Sequence, residues 1–217
     1  KMPELSPKVE KKLASGRTFR SMEMRAIDDE QYIVEGYATT FSQPYELYSF
    51  DNYTVREQVD PAALDGADMS DVIMQYDHEG RVFARRSNKT LELEIDSHGL
   101  KVRAYLGGTE IGRQLYQEIK GGYTTKMSFS FIVKDNQRVI TEDAETGHVD
   151  VLRTIQSISK VYDVSAVSLP ANDATDISAR SDGEGAIADA QQELAAAIQA
   201  LAEKRKLIAI NELLRSM

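Results

Sequence analysis

The chain has 217 residues, 41% of them hydrophobic, and a formal net charge of −9. This acidic balance, with no stripe of Lys and Arg, argues against nucleic-acid binding. The absence of cysteine excludes disulfides, thiol nucleophiles and cysteine-rich metal sites. No apolar run approaches the roughly 18 residues of a membrane span. We therefore expect a soluble, intracellular protein without a membrane partner.

Changes in composition divide the chain into four parts. Residues 1–16 are charged and contain two prolines, which predicts a flexible N-terminal arm. Residues 17–178 hold the alternating apolar segments of a folded domain, and residues 179–185 form a Gly-rich linker. Residues 186–217 are predicted to form a helical tail, either a short coiled coil or an amphipathic helix on its own domain. Its seven-residue spacing is formed by Ile187, Leu194, Leu201 and Ile208.

Alternation of apolar and polar residues predicts many short strands in the folded domain. The predicted strands cover 32–41, 53–59, 71–76, 81–86, 90–95, 100–106, 125–134, 151–158 and 161–168. One helix is predicted between Thr109, as its cap, and the Gly121-Gly122 pair, with an apolar face at Ile111, Leu115 and Ile119. The predicted fold class is α+β and mainly β. Its core is a closed or partly closed β-barrel of short, mostly antiparallel strands, with flanking helices and a C-terminal helix.

Two serines share one face of the strand at 126–133. Met127, Phe129 and Phe131 point to the opposite face, since side chains alternate along a strand, and they anchor it in the core. Either Ser128 or Ser130 could serve as a nucleophile, and the periodicity does not choose between them. Both could also be ordinary solvated serines on a polar strand face.

A histidine and a carboxylate complete a possible serine-nucleophile triad. His78 closes the apolar segment 72–78, so it lies at a strand end or a turn. Asp163 is a charge inside an apolar strand, where a carboxylate needs a partner unless the strand is an exposed edge. The other two histidines, His98 and His148, fall in polar turns and are expected to be solvated.

A metal site is the alternative reading of the segment around His78. Asp77, His78 and Glu79 could serve a metal-dependent hydrolase, but adjacent residues of an extended segment point apart. The three histidines show no ligand spacing such as H-E-x-x-H. We therefore predict no metal and no cofactor.

The order of motifs across residues 18–178 resembles the prohead proteases of tailed bacteriophages, which are similar in turn to the herpesvirus assemblins. This chain departs from the family at two positions, because the family usually has Glu where Asp163 stands and Asn where Asp77 stands. The matching segments are Glu35-Gly36-Tyr37-Ala38-x-x-Phe41, Val55-Arg56-Glu57-Gln58-Val59-Asp60-Pro61-Ala62-Ala63-Leu64, the strand ending at His78, Gly99-Leu100-Lys101-Val102, Gly122-Tyr123-x-x-Lys126-Met127-Ser128-Phe129-Ser130-Phe131 and Asp163-Val164-Ser165-Ala166-Val167-Ser168-Leu169-Pro170-Ala171-Asn172.

The resemblance implies a serine endopeptidase of capsid maturation. Ser128 would be the nucleophile, His78 the base and Asp163 the third member of the triad. The substrates and partners would be the major capsid protein with its scaffolding domain and the protease itself, which could form a homo-oligomer. The place of action would be the assembling prohead in the host cytoplasm. Gly121 and Gly122 are candidate sources of oxyanion-binding N–H groups.

A non-catalytic capsid assembly factor is the main alternative to an enzyme. In that case the β domain would be a binding module and the C-terminal tail would dock on the scaffold protein. Such a module does not need a serine, a histidine and a carboxylate to converge, so the geometry of Ser128, His78 and Asp163 discriminates between the two hypotheses.

Overall fold

The structure is a computed structural model that describes residues 18–50, 53–143 and 145–168, together with Gln199, Glu203 and Lys206. The predicted N-terminal arm, the linker and nearly all of the predicted tail lie outside these residues. Gln199, Glu203 and Lys206 are helical and exposed. In the part of the chain that is described, no helix is long and apolar enough to cross a membrane.

Within the described residues 18–168 there are ten strands and one helix, so the prediction of a mainly β fold with one central helix is confirmed. The elements are β1 Thr18–Asp28, β2 Ile33–Thr40, β3 Tyr45–Phe50, β4 Tyr53–Val59, β5 Ile73–Tyr76, β6 Glu79–Arg85, β7 Leu91–Ile95, β8 Gly99–Tyr105, α1 Glu110–Lys120, β9 Lys126–Glu142 and β10 Val149–Val167.

The strands form one sheet in the order β3-β4-β10-β9-β1-β2-β8-β7, and β5 adds to β10 and carries β6. β10 pairs in parallel with β4 through residues 149–155 and with β5 through residues 163–166, and the other ladders are antiparallel. The sheet is not closed by these ladders, so the predicted closed barrel is not confirmed. An isolated bridge between Phe41 and Val59 brings the end of β2 back to β4.

The core lies on one face of the central strands, as the alternation in β9 predicts. Met127, Phe129 and Phe131 are fully buried, and the two phenyl rings stack with centroids 4.3 Å apart. α1 covers part of this core with Leu115 and Ile119. Burial of large apolar side chains is the main stabilising contribution, at about 1.5–3 kcal/mol for each. The same packing holds β9 rigidly, and with it the serines on its other face.

Two glycines of the sequence motifs are required by the close approach of the strand paired with each of them. A Cβ at Gly36 would lie 2.6 Å from the carbonyl oxygen of Glu23, and one at Gly99 would lie 2.0 Å from that of Thr39. Neither neighbour can retreat, because both contacts are with strand backbone. A side chain at either position would therefore force the strands apart.

A buried ion cluster joins β1, β4 and β10. Glu57 is fully buried and accepts two hydrogen bonds from Arg20, at 2.5 and 3.0 Å. Arg153 lies 3.1 Å from the same carboxylate, and Tyr45 donates its hydroxyl at 2.6 Å. Burial raises the pKa of Glu57, but the Arg20 and Arg153 guanidinium groups and the Tyr45 hydrogen bond outweigh it and hold the pKa below its usual value.

Candidate active site

His78 lies at the tip of the hairpin between β5 and β6. Tyr76 pairs with Glu79, so only Asp77 and His78 form the turn. Both have positive φ, 48° for Asp77 and 58° for His78. Two-residue hairpin turns of type I′ require positive φ at both central residues. His78 therefore lies in a turn at the end of β5, where the sequence predicted a strand end or a turn. Positive φ is uncommon for residues other than glycine.

The serines and the carboxylate lie side by side on one face of the sheet. In the ladder between β9 and β10, Ser128 pairs with Ser165 and Ser130 pairs with Asp163. Directly opposed residues of neighbouring strands project to the same face. The polar group is therefore a consequence of strand register, with the apolar core beneath it.

The imidazole of His78 connects the nucleophile candidate to the carboxylate. Its Nδ1 lies 2.5 Å from Asp163 Oδ1, and its Nε2 lies 2.7 Å from Ser128 Oγ. An ionised carboxylate only accepts hydrogen bonds, so Nδ1 carries the proton and donates it. The lone pair of Nε2 is then directed at the Ser128 hydroxyl, which donates to it. This is the arrangement in which a histidine can remove a proton from serine.

Two further hydroxyls hold the carboxylate of Asp163. Ser130 donates to Oδ2 at 2.5 Å, and Ser165 donates to Oδ1 at 2.8 Å. Asp163 is only 1% exposed. Burial raises the pKa of Asp163, but the hydrogen bond and charge attraction from His78, with the bonds from Ser130 and Ser165, outweigh it and hold the pKa below its usual value. Asp163 therefore remains an anion that can stabilise a cationic imidazole.

The structure separates the two serines that periodicity left equivalent. Ser128 is the one whose hydroxyl meets His78, whereas Ser130 donates to Asp163. Neither is a solvated serine, because Ser128 is 2% exposed and Ser130 is fully buried. The sequence analysis missed Ser130 and Ser165 as partners of Asp163. Ser165 stands two residues after Asp163, a spacing that places both on one strand face, and this was the available signal.

Gly121 and Gly122, the predicted oxyanion donors, lie at the C-terminal end of α1. The N–H of Gly121 donates to Gln117 O at 2.8 Å, and that of Gly122 donates to Ile119 O at 3.1 Å. These bonds satisfy carbonyls in the last turn of α1, as a helix C-cap does. Both N–H groups are thus engaged in the helix end.

The remaining histidines have contacts with other residues. His98 packs edge-on against Tyr37, with ring centroids 4.5 Å apart, in the turn before β8. His148 contacts Thr54, with its Nε2 3.0 Å from the hydroxyl. Among the residues that the structure describes, no three His, Asp or Glu side chains are placed to hold a metal ion. Asp77 faces Ser168 while His78 faces Asp163, so the local acidic cluster does not converge.

Comparison with known proteins gives a match at the level of a family. No curated protein and no solved structure matches the chain. The family model for the caudovirus prohead serine protease matches residues 20–187. The matched region includes Ser128, His78 and Asp163. Because this match covers most of the chain, the protein belongs to the family of caudovirus prohead serine proteases.

Proposed function

We propose that Ser128, His78 and Asp163 are the catalytic triad of an endopeptidase that cleaves the scaffolding part of the capsid protein, and itself, inside the prohead. Membership of the family supports a role in capsid maturation, with a capsid protein as partner and substrate and the assembling prohead in the host cell as the place of action. The observation that carries the proposal is the continuous hydrogen-bonded path from Ser128 Oγ through the imidazole to Asp163.

The geometry supports acyl transfer through a covalent intermediate. Ser128 Oγ attacks the scissile carbonyl carbon while His78 Nε2 accepts its proton. The imidazolium that forms is stabilised by Asp163, and it then protonates the leaving amine as the peptide C–N bond breaks. A water molecule, activated by the same nitrogen, attacks the ester and releases the new carboxyl terminus together with free Ser128.

The oxyanion of the tetrahedral intermediate requires N–H donors. Gly121 and Gly122 stay the predicted source of these donors. Since both N–H groups donate within the helix C-cap, either one would have to exchange its carbonyl partner to bind an oxyanion. We further propose that five strands form a partly closed barrel, in the order β4, β10, β9, β1 and β2. The bridge between Phe41 and Val59 supports this proposal.

The first experiment replaces the proposed nucleophile and base. We expect Ser128→Ala and His78→Ala each to reduce kcat by about 10⁴-fold or more, and the double variant to be no worse, because nucleophile and base act as a unit. Cleavage of the co-expressed capsid precursor and self-shortening are followed by mass spectrometry, and labelling of Ser128 by a fluorophosphonate reports the nucleophile directly.

Three controls make this experiment decisive. His98→Ala and His148→Ala remove the other histidines and should leave kcat unchanged. Ser130→Ala should lower kcat far less than Ser128→Ala, because Asp163 keeps its bond to His78. Full cleavage by Ser128→Ala, with Ser130→Ala inactive, would contradict the proposed nucleophile. Loss of activity in His148→Ala equal to that in His78→Ala would contradict the proposed base.

A further inference from the structure

The turn that carries His78 has to be held in an uncommon backbone conformation. Asp77 and His78 are consecutive non-glycine residues with positive φ. L-residues with a Cβ disfavour this region, and they remain in it only where the surroundings fix them. The direction of the imidazole follows the backbone of this turn, so contacts that fix the turn also fix the proposed base.

The side chain of Asp77 supplies such contacts at the end of β10. Its Oδ1 accepts from the backbone N–H of Ser168 at 2.9 Å, and the Ser168 hydroxyl lies 3.1 and 2.9 Å from the two carboxylate oxygens. The backbone N–H of Asp77 donates to Ala166 O at 2.9 Å. The hydrogen bonds between the Asp77 carboxylate and Ser168 are called the Asp77 latch below.

The latch connects the base to the strand that carries the acid. Ser168 directly follows β10, in which Asp163 lies. His78 must reach Asp163 on β10 and Ser128 on β9 at once, at 2.5 and 2.7 Å. Asp77 does not point into the site, since its carboxylate is occupied by Ser168. Its effect on the imidazole is therefore exerted through the hairpin backbone.

We propose that Asp77 is a positioning residue that keeps the imidazole of His78 aligned between Asp163 and Ser128. This proposal rests on the proposed function of the site. It predicts that the useful property of Asp77 is an acceptor oxygen on a residue that tolerates positive φ. Asn has both properties, Gly has only the backbone tolerance, and Ala has neither.

The test compares Asp77→Gly, Asp77→Asn and Ser168→Ala by kcat and KM on one peptide substrate. Asp77→Gly should lower kcat by about 10–100-fold with little change in KM, because small misplacements of catalytic groups carry costs of that order. Asp77→Asn should restore kcat to within about threefold of wild type, since the amide oxygen still accepts from Ser168. Ser168→Ala should fall between them, because the backbone N–H remains. Asp77→Gly combined with Ser168→Ala should be no worse than Asp77→Gly alone.

A matched control is available in another hairpin. Asp96, in the turn between β7 and β8, accepts from the backbone N–H groups of His98 and Gly99 and from the Tyr37 hydroxyl, none of which belongs to the proposed triad. Asp96→Gly removes a comparable turn carboxylate and should leave kcat per folded molecule unchanged. Thermal melting measures the folded fraction of every variant. If Asp77→Gly does not fold, the kcat of Ser168→Ala tests the proposal instead.

Three results would overturn the positioning role. Wild-type kcat in Asp77→Gly and in Ser168→Ala would show that the latch is dispensable. Equal losses in Asp77→Asn and Asp77→Gly would show that the negative charge matters rather than the acceptor. A rise in KM with unchanged kcat would assign Asp77 to substrate binding. If Ser128→Ala is inactive and Asp77→Gly is fully active, only this inference fails, whereas an active Ser128→Ala removes the proposed function itself.

Discussion

Asp163 and Glu57 are two buried carboxylates of the same sheet with different partners. Asp163 is 1% exposed and Glu57 is fully buried, and the pKa of each is held below its usual value. Glu57 faces Arg20 and Arg153, whose guanidinium groups stay charged at all physiological pH values. Asp163 faces His78, which can gain and lose a proton.

The comparison shows that burial of a charge does not by itself indicate catalysis. Both carboxylates satisfy the rule that buried charges are paired and hydrogen-bonded. The imidazole of His78 has a second nitrogen that can accept a hydrogen bond from the Ser128 hydroxyl, whereas the guanidinium groups beside Glu57 carry donors only. A partner that can accept a proton from a serine therefore distinguishes the proposed catalytic cluster from an ion cluster that joins strands.

Replacing the carboxylate that faces the histidine should give the larger change in activity. We expect Asp163→Asn to lower kcat by about 10⁴-fold, because the amide no longer fixes the proton on Nδ1 or stabilises the imidazolium. Stability should change much less, since Asn fills nearly the same volume. Peptide cleavage rates and thermal melting measure the two effects. A loss of less than tenfold would mean that Asp163 supports the strand rather than the reaction.

Replacing the carboxylate between the arginines should instead affect stability. Glu57→Ala leaves the guanidinium groups of Arg20 and Arg153, each 12% exposed, without their shared counter-charge. Removing one partner of a buried ion cluster costs about 3–5 kcal/mol of unfolding free energy. The kcat of the folded fraction should be unchanged, which urea denaturation and cleavage assays will establish.

A surface ion pair provides the control for Glu57→Ala. Glu23 lies 3.2 Å from Lys126 and its side chain is 87% exposed, so Glu23→Ala should change stability little. If the two variants were equally stable, the buried ion cluster would contribute no more to stability than a surface pair does. The structural role assigned to Glu57 would then be wrong.

Lowering the pH should have the smallest of these effects. It should reduce the stability that each of the two carboxylates contributes. A lowered pKa means that the unfolded chain binds the proton at higher pH than the folded chain does. Each group therefore contributes stability that is complete above its ordinary pKa, about 3.9 for Asp and 4.3 for Glu, and that is lost as the pH falls through the folded value. The stability gap between wild type and Asp163→Asn, or Glu57→Gln, should shrink below about pH 4. Urea denaturation from neutral to acid pH measures the gap, and a constant gap would contradict the lowered pKa values.

The sequence predicted strands well where burial imposes alternation and less well where register shifts interrupt it. The segments 151–158 and 161–168, predicted as two strands, belong to the single strand β10. Irregularities in its ladder with β9 fall between Ile155 and Asp163, and they change the phase of the alternation. β3 was not predicted as a strand, because its sequence Tyr45–Phe50 at the sheet edge lacks a clear alternating pattern.

Residue types and their order suggested which side chains form the candidate site but not how those side chains contact one another. Alternation alone places Ser128 and Ser130 on one face, and the contact of Ser128 with His78 depends on a turn 50 positions away. The bond from Ser130 to Asp163 depends on the register between β9 and β10, which is a property of the assembled sheet. The resemblance predicted Ser128 as the nucleophile, and its contact with His78 supports that proposal.

The position of β10 bears on how soon the chain can become active after synthesis. This strand joins partners that are distant along the chain, as in the contact between Gln58 and Thr154, 96 positions apart, and that between His78 and Asp163, 85 positions apart. Sheets with such a high contact order fold slowly, in about milliseconds to seconds. His78 and Ser128 leave the ribosome before Asp163 does, and β4 and β5 have no β10 beside them until then. We therefore expect a lag between translation and peptide-bond cleavage that is set by chain topology alone.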